Sequence, residues 1–348
     1  MNAAETRTAK IGILGASGYT GAELVRLALS HPGMEIAALT ADRKAGQHMG
    51  DVFPQFSHIS DLPPLQKMAD ANLSDLDLVF CALPYGLAQQ VALDLPESVK
   101  IVDLSADFRL DDPAVYEKWY GGPHKAQALQ AGAAYGLPEF YRDDIAAARI
   151  VANTGCYVAT SLLPVLPLLQ AGVIDPEGIV IDAKSGTTGA GRGAKEGTLF
   201  CEVSDGFHAY AVAAHRHMAE LDQEFSKAAG TKVIASFTPH LLPINRGILA
   251  TIYGRGDADA VHAALAAKYA DEPFVHVQPL GEMPSTRHVR GSNLCRIGVA
   301  ADRQAGRVII VSVLDNLMKG ASGQAVQNAN IMLGLPEVMG LDAAPVFP

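Results

Sequence analysis

Along the first 150 residues, short apolar runs alternate with helix-length segments. The runs are Ile11-Gly12-Ile13-Leu14, Glu35-Ile36-Ala37-Ala38-Leu39, Leu76-Asp77-Leu78-Val79-Phe80-Cys81-Ala82 and Lys100-Ile101-Val102-Asp103-Leu104, and the stretch over 22–30 has helical spacing. Near-continuous apolar strands separated by helices predict a parallel, doubly wound α/β sheet of Rossmann type, covered on both faces. After residue 153 the pattern changes. Ile179-Val180-Ile181, Val233-Ile234-Ala235-Ser236-Phe237 and Ile248-Leu249-Ala250-Thr251-Ile252-Tyr253 read as strands, and Arg296-Ile297-Gly298-Val299-Ala300 and Val308-Ile309-Ile310-Val311-Ser312-Val313 flank the polar turn Asp302-Arg303-Gln304-Ala305-Gly306 as an antiparallel hairpin. A second, α+β domain on a largely antiparallel mixed sheet is expected. Between the two patterns, 158–169 is an apolar helix in which Pro164 should introduce a kink or shorten the regular part. The last periodic segment, 316–334, is helical and rich in small residues and amides.

The first candidate chemistry lies at the end of the first strand. Gly15-Ala16-Ser17-Gly18-Tyr19-Thr20-Gly21 opens the first helix with the spacing G-x-x-G-x-x-G, a variant of the dinucleotide fingerprint. Glycines there permit a tight turn and close approach of backbone to a pyrophosphate seated on the helix N-terminus. Gly15, Ser17, Gly18, Tyr19, Thr20 and Gly21 are the candidate cradle. The second strand ends in Leu39-Thr40-Ala41-Asp42-Arg43-Lys44. A hydroxyl at Thr40 followed by Arg43 suits a ribose 2′-phosphate and favours NADP. Asp42 is the counter-signal, readable as a solvated turn carboxylate.

The second is Cys156. Arg149-Ile150-Val151-Ala152 leads into Asn153-Thr154-Gly155-Cys156-Tyr157, which reads as strand, tight turn, cysteine, helix. A thiol at a helix N-terminus meets the positive end of the helix dipole and backbone N–H groups, which stabilise the nucleophilic thiolate. Gly155 and Cys156 N–H groups are candidate oxyanion donors. The competing reading is a cysteine that only packs.

His215-Arg216-His217 supplies two imidazoles at i, i+2, either of which can pair with the thiol as an acid–base; metal binding is the minor alternative, with no Cys or carboxylate at ligand spacing. Ser185-Gly186-Thr187-Thr188-Gly189-Ala190-Gly191-Arg192-Gly193 is a second Gly-rich loop after a strand. Its amides, hydroxyls and Arg192 suit an anion or the nicotinamide side of a cofactor. Arg109 and Arg246, beside strands, are candidate anion clamps or structural ion-pair partners.

Composition narrows the field. With 348 residues, the chain has room for two domains, and 49% hydrophobic with 18% charged residues describes an ordinary globular protein. Net charge is 27 − 37 = −10, without basic clusters, which argues against nucleic acid and anionic membrane as partners. Four cysteines at wide spacing, without a CxxC pair, suit a reducing compartment. Residues 1–8 are polar, without the apolar core of a signal peptide, and no run approaches the ~20 apolar residues of a membrane span. A cytoplasmic protein is expected.

Taken together, these segments resemble the N-acetyl-γ-glutamyl-phosphate reductases, the arginine-pathway branch of the aspartate-semialdehyde dehydrogenase-like acyl-phosphate reductases. The resemblance runs nearly end to end. It includes Gly15 to Gly21, Ala82-Leu83-Pro84-Tyr85-Gly86, Asp103-Leu104-Ser105-Ala106-Asp107-Phe108-Arg109-Leu110, Tyr135-Gly136-Leu137-Pro138-Glu139, Gly155-Cys156-Tyr157, the Ser185 loop, His215-Arg216-His217, Phe237-Thr238-Pro239-His240, Arg246-Gly247-Ile248-Leu249, Gly291-Ser292-Asn293 and Asp315-Asn316-Leu317-Met318-Lys319-Gly320-Ala321. Thr154 and Val158 stand where the family usually has Pro. The resemblance implies NADPH-dependent reduction of N-acetyl-5-glutamyl phosphate to the 5-semialdehyde through a Cys156 thioester, with His215 as the acid–base. The same chemistry on aspartyl phosphate or carrier-bound aminoadipyl phosphate, or an NADP-sensing protein without activity, are the alternatives. Leu83, Pro84, Ser185, Gly186 and Asn316 are implied at the cofactor, with Asn316 beside the nicotinamide carboxamide. Arg109, Asn153, Arg192, His217 and Arg246 are the residues expected at the substrate, and no metal is expected. It further implies a homodimer or homotetramer, and a dinucleotide domain of 1–153 with 320–348 around a catalytic and oligomerisation domain of 154–319.

Overall fold

The computed structural model describes residues 8–347; all but the last residue of the polar N-terminal segment lies outside that range. The chain divides into two compact units. Among the described residues, one holds 8–154 together with Ala321–Asp342, and the other holds Gly155–Gly320 together with 343–347.

The first unit carries seven strands: β1 (Ala9–Leu14), β2 (Met34–Thr40), β3 (Leu65–Gln66), β4 (Leu78–Cys81), β5 (Lys100–Asp103), β6 (Ala134–Gly136) and β7 (Ile150–Asn153). They pair in the order β3-β2-β1-β4-β5-β7-β6, parallel throughout. The central strands are buried on both faces, as their unbroken apolar runs require: Leu78, Val79, Phe80 and Cys81 are all inaccessible to solvent.

Residues from Ala321 return to this unit, where the helix Gly323–Met332 packs among its strands and helices. Its amides explain how so polar a helix is buried. Gln324 donates to Thr154 Oγ1 at 2.6 Å, Asn328 Nδ2 donates to the Gly136 carbonyl and to Asn153 Oδ1, and Asn330 bonds His31 and two carbonyls. Thr154 thus has a use for its hydroxyl that a proline could not supply. The expected boundary differs at the far end. Residues from Ala343 group with the second unit, where the Val346 N–H donates to the Arg290 carbonyl at 2.8 Å.

The second unit carries β8 (Val180–Gly186), β9 (His208–Ala209), β10 (Ser236–Leu242), β11 (Ile248–Arg255), β12 (Val275–Val277), β13 (Cys295–Ala301) and β14 (Arg307–Leu314). Their order is β12-β13-β14-β11-β8-β10-β9, with β8–β10 and β12–β13 parallel and the other pairs antiparallel. Strand β10 begins later than the apolar run at 233–237 predicts. The N–H groups of Val233 and Ala235 are taken by Ser226 Oγ and Asp222 of the preceding helix, so the ladder starts only at Ser236.

The helix that begins at Cys156 runs unshortened to Gln170, through both Pro164 and Pro167, contrary to the shortening allowed for. One reason is visible. Pro167 has no N–H for the Leu163 carbonyl, and the Tyr269 hydroxyl donates to that carbonyl instead.

Candidate active site

In the first unit the glycine turn is built as the spacing predicts. Gly15 sits at φ +87°, and a Cβ there would lie 2.3 Å from the Ala82 carbonyl oxygen. A Cβ at Gly21 would lie 2.3 Å from the Gly15 carbonyl. Gly18 is the N-cap of the helix Tyr19–Leu29, with no side-chain cap and no acidic residue in the first turn. Ser17, Tyr19 and Thr20 are half-exposed around it. This cradle fits a pyrophosphate: backbone comes close, and the helix end is not already occupied by a carboxylate. Gly15→Ala is expected to weaken dinucleotide binding by about tenfold or more, since it combines a positive-φ penalty with a backbone clash. A fluorescence titration with NADPH checks this, with thermal melting to separate lost binding from lost fold.

Thr40 contributes differently from the expected cofactor contact. It is buried; its carbonyl accepts from Gly15 and Ala16 N–H, and its hydroxyl accepts from Gly15 N–H at 3.3 Å. Thr40 therefore holds the turn. Arg43 lies exposed in the short turn Asp42–Lys44, and the Asp42 carboxylate accepts from Met68 N–H. Leu83 reaches the Gly15 turn, and Pro84 is exposed beside it.

The segment 86–89 is held by a residue to which the sequence reading gave no role. Asp107 accepts from the N–H groups of Gly86, Ala88 and Gln89 and from the Tyr116 hydroxyl. Asp103 in turn accepts from Ser105 and Asp107 N–H, fixing Ala106 at φ +87° between them. Burial, then the nearby Asp107 charge, raises the Asp103 carboxyl to about 6. Arg109, expected as an anion clamp, is buried and turned inward, with Nε donating to the Asn153 carbonyl at 2.7 Å and a second nitrogen to the Leu104 carbonyl. Asn153, expected at the substrate, is fully buried; Nδ2 donates to the Ala321 carbonyl and Oδ1 accepts from Asn328. Both side chains brace the end of β7 because every polar end just named is turned into protein.

In the second unit, Cys156 is the first residue of a 15-residue helix and is half-buried. Glycines leave room for Cys156 and for His217. A Cβ at Gly320 would lie 2.9 Å from Cys156 Cβ, and one at Gly155 would lie 2.4 Å from His217 Nε2. The Gly155 N–H donates to Glu220 at 3.2 Å, so this group, expected as an oxyanion donor, already has a carboxylate partner. Glu220 is buried one turn into the helix His217–Ala229 and was not singled out in the sequence. Its signal was there: His217 and Glu220 are i, i+3, and so share a helix face.

His215 lies in a cage of rings. Ring centroids are 5.8 Å away at Tyr157, 5.6 Å at Tyr210, 5.6 Å at Phe237 and 4.6 Å at His217. Burial, followed by the charge of Arg216, lowers its pKa to about 4. Burial also pushes the Tyr210 hydroxyl up to about 12 and Tyr157 higher still. Tyr157, next to the nucleophile, donates to the His240 carbonyl at 2.9 Å.

The second glycine loop is occupied by its own neighbours. Gly186 N–H donates to the Gly247 carbonyl, Thr187 N–H to Ile244 and Thr188 N–H to Asn245. Those amides serve the loop–loop junction and not an anion. Ser185 is buried and donates to the Gly186 carbonyl, whereas Arg192 is exposed. Asn316, expected beside a nicotinamide carboxamide, uses both ends of its amide here: Oδ1 accepts from Gly247 N–H and Nδ2 donates to Thr188 Oγ1, each at 2.8 Å. Arg246 is half-buried, 3.5 Å from the fully buried Asp315 carboxylate. Among the described residues, no three His, Cys, Asp or Glu side chains converge as metal ligands, and no helix is long and apolar enough to cross a membrane.

Comparison with known proteins sets this geometry in context. Residues 10–148 match the family described as semialdehyde dehydrogenase, NAD binding domain, and 156–316 match semialdehyde dehydrogenase, dimerisation domain. The chain is 62% identical over 343 residues to an N-acetyl-gamma-glutamyl-phosphate reductase of Afipia carboxidovorans, covering 96% of this chain and 97% of that protein. It is 60% identical over 342 residues to the protein of that name in Ruegeria pomeroyi, covering 98% and 100%. Among solved structures, aspartate semialdehyde dehydrogenase II of Vibrio cholerae, complexed with ASA, matches with a TM-score of 0.71 at 16% identity, covering 94% of this chain and 99% of that one. The Candida albicans aspartate semialdehyde dehydrogenase with NADP matches at 0.63 and 19% identity, covering 93% and 98%. Identities that low show a shared fold and nothing finer.

Proposed function

Because the chain belongs to the N-acetyl-gamma-glutamyl-phosphate reductases, we propose that it reduces N-acetyl-5-glutamyl phosphate to N-acetylglutamate 5-semialdehyde and phosphate, a step of arginine biosynthesis. One observation carries the chemistry: Cys156 opens a long helix while its neighbour Tyr157 packs against His215. The Cys156 thiolate attacks the acyl carbon, the C–O bond to phosphate breaks, and a thioester remains on Sγ. Bound NADPH supplies the hydride that this thioester accepts. The thiohemiacetal then collapses, the C–S bond breaks, and the aldehyde leaves. His215 is the acid–base we assign to the reaction, taking up the thiol proton and later donating to the developing oxyanion. Arg246, tethered by Asp315 and still half-exposed, is the side chain we assign to an anionic group of the substrate, with Arg192 as a second candidate on its exposed loop.

Gly15 to Gly21 would hold the pyrophosphate and Arg43 the 2′-phosphate. The choice of NADP is supported by Asp42, whose carboxylate is engaged with Met68 while Arg43 remains exposed. Arg43→Ala is expected to raise KM for NADPH about tenfold and to leave KM for NADH unchanged, roughly the effect of one charge-assisted contact. Steady-state kinetics with both cofactors check this.

A homodimer or homotetramer is supported by the dimerisation family matching 156–316 and by the half-exposed face of the second sheet, which carries Thr238, Leu249, Thr251 and Tyr253. A cytoplasmic location is supported by the sparse, dispersed cysteines. The test of the reaction is phosphate-dependent reduction of NADP by N-acetylglutamate 5-semialdehyde, run beside aspartate semialdehyde and aminoadipate semialdehyde. Preference for either of the last two would reassign the substrate. Inactivity with all three, together with a Cys156 that alkylates no faster than a peptide thiol, would favour the sensing protein.

A further inference from the structure

We propose that Asp107 is a positioning residue for the dinucleotide, one that fixes the segment 83–87 as a wall of the cofactor crevice beside the glycine turn. The inference rests on the cofactor reading above and adds a side chain that touches no ligand itself. Strand order places the crevice. The first sheet steps outward through β2 and β3 on one side of β1, and through β4 and β5 on the other. The order therefore reverses between β1 and β4, and dinucleotides bind at the C-terminal ends of strands that flank such a switch point. Gly15 leaves β1 there and Ala82 leaves β4. The Ala82 N–H donates to the Leu14 carbonyl, and a Cβ at Gly15 would lie 2.3 Å from the Ala82 carbonyl oxygen and 3.5 Å from Leu83 Cδ2.

The segment turns its side chains outward and its amides inward. Pro84, Tyr85 and Leu87 are exposed, a run of large apolar groups within four positions at the end of a buried strand. The N–H groups of Gly86, Ala88 and Gln89 donate the other way, onto the Asp107 carboxylate at 2.6, 3.0 and 3.3 Å. The Tyr116 hydroxyl donates to the same carboxylate at 2.9 Å, and Asp107 is inaccessible to solvent. Four donors shared between two acceptor oxygens suit an ionised carboxylate; an amide of the same size offers only one.

Asp107 is itself pinned. Its N–H donates to Asp103 Oδ2 at the end of β5, and its carbonyl accepts from His124 Nε2 at 2.7 Å. Gln89 closes the network, with Nε2 donating to the Tyr116 hydroxyl and Oε1 accepting from the Lys125 N–H. The chain leaving β4 is thereby registered to β5, and Gly86 is held at φ +86°. A wall ordered before the cofactor arrives spares the cofactor the cost of ordering it. Asp107 therefore acts on affinity through the segment beside Gly15, in addition to any part in stability.

Measurements on the full chain test this. Amide exchange of wild-type peptides covering 15–21 and 82–90 should slow when NADPH is added. Slowing at 15–21 alone overturns the role of Asp107 and leaves the cofactor reading standing. Slowing at neither, with no binding by fluorescence titration, overturns both. Asp107→Asn turns an NH₂ toward two of the four donors and should raise the Kd for NADPH by about tenfold or more, measured well below its melting temperature. Tyr116→Phe removes a donor from the same carboxylate without freeing the segment. It should lower the melting temperature and leave the Kd within about threefold of wild type. Equal rises in Kd in the two folded variants, or no rise in Asp107→Asn, overturn the positioning role. If Asp107→Asn does not fold, Gly86→Ala takes its place: a methyl there has open space in the protein and strains only the φ that Asp107 holds. An unchanged Kd in that folded variant overturns the proposal.

Discussion

Cys156→Ser is expected to lower reductive turnover by about 10⁴-fold or more while NADPH affinity and melting temperature stay near wild type. The physical case is narrow. Oxygen replaces sulfur at one atom of a half-buried side chain, so packing against the Gly320 position is nearly conserved. A serine hydroxyl without a strong base is not ionised near pH 7, so the bond to the acyl carbon does not form. Single-turnover rates with NADPH and the acyl phosphate measure the loss, and cofactor fluorescence measures the binding that should survive. Residual turnover above a few per cent would sink the thioester pathway.

Gly155→Ala is expected to reduce kcat by about 10²- to 10³-fold, through displacement and not through chemistry. Gly155 has an ordinary φ of −67°, so backbone strain is not the cause. The added methyl would lie 2.4 Å from Nε2 of His217 and 2.8 Å from two of its ring carbons, and a ring held at a helix start has little room to yield. Either His217 moves or the Gly155 turn does. The second movement also breaks the 3.2 Å bond to Glu220 and shifts Cys156. Paired with His217→Ala, which makes room for the methyl, the Gly155→Ala penalty should shrink; a penalty equal in both backgrounds would mean that the clash is not its source.

Much of this was legible along the chain. Alternating apolar runs and helices announce the parallel sheet because a strand buried on both faces has no place for polar residues, and Leu78, Val79, Phe80 and Cys81 show it. The glycine spacing announces the cradle because only glycine accepts the φ and the 2.3 Å approach found at Gly15. Cys156 was legible through its local setting of strand, turn and helix. These are local constraints, written within a few residues of where they act.

The partners of buried polar groups were not legible, because they join residues far apart in sequence. Nothing near Asn153 says that its amide meets Asn328 and Ala321, or that Arg109 turns inward to the Asn153 carbonyl and not outward to an anion. Thr40 and Asn316 likewise have the chemistry of ligand contacts and are used to tie loops together. The i, i+3 spacing puts Glu220 on the helix face of His217, but only the fold buries that carboxylate against Gly155. Residue type and spacing therefore determined where the candidate chemistry sits: which turn is shaped for a phosphate, which thiol opens a helix, which two imidazoles share one segment. Only the tertiary structure decided which polar groups remain to serve a ligand, because burial obliges each group it captures to find a partner within the protein.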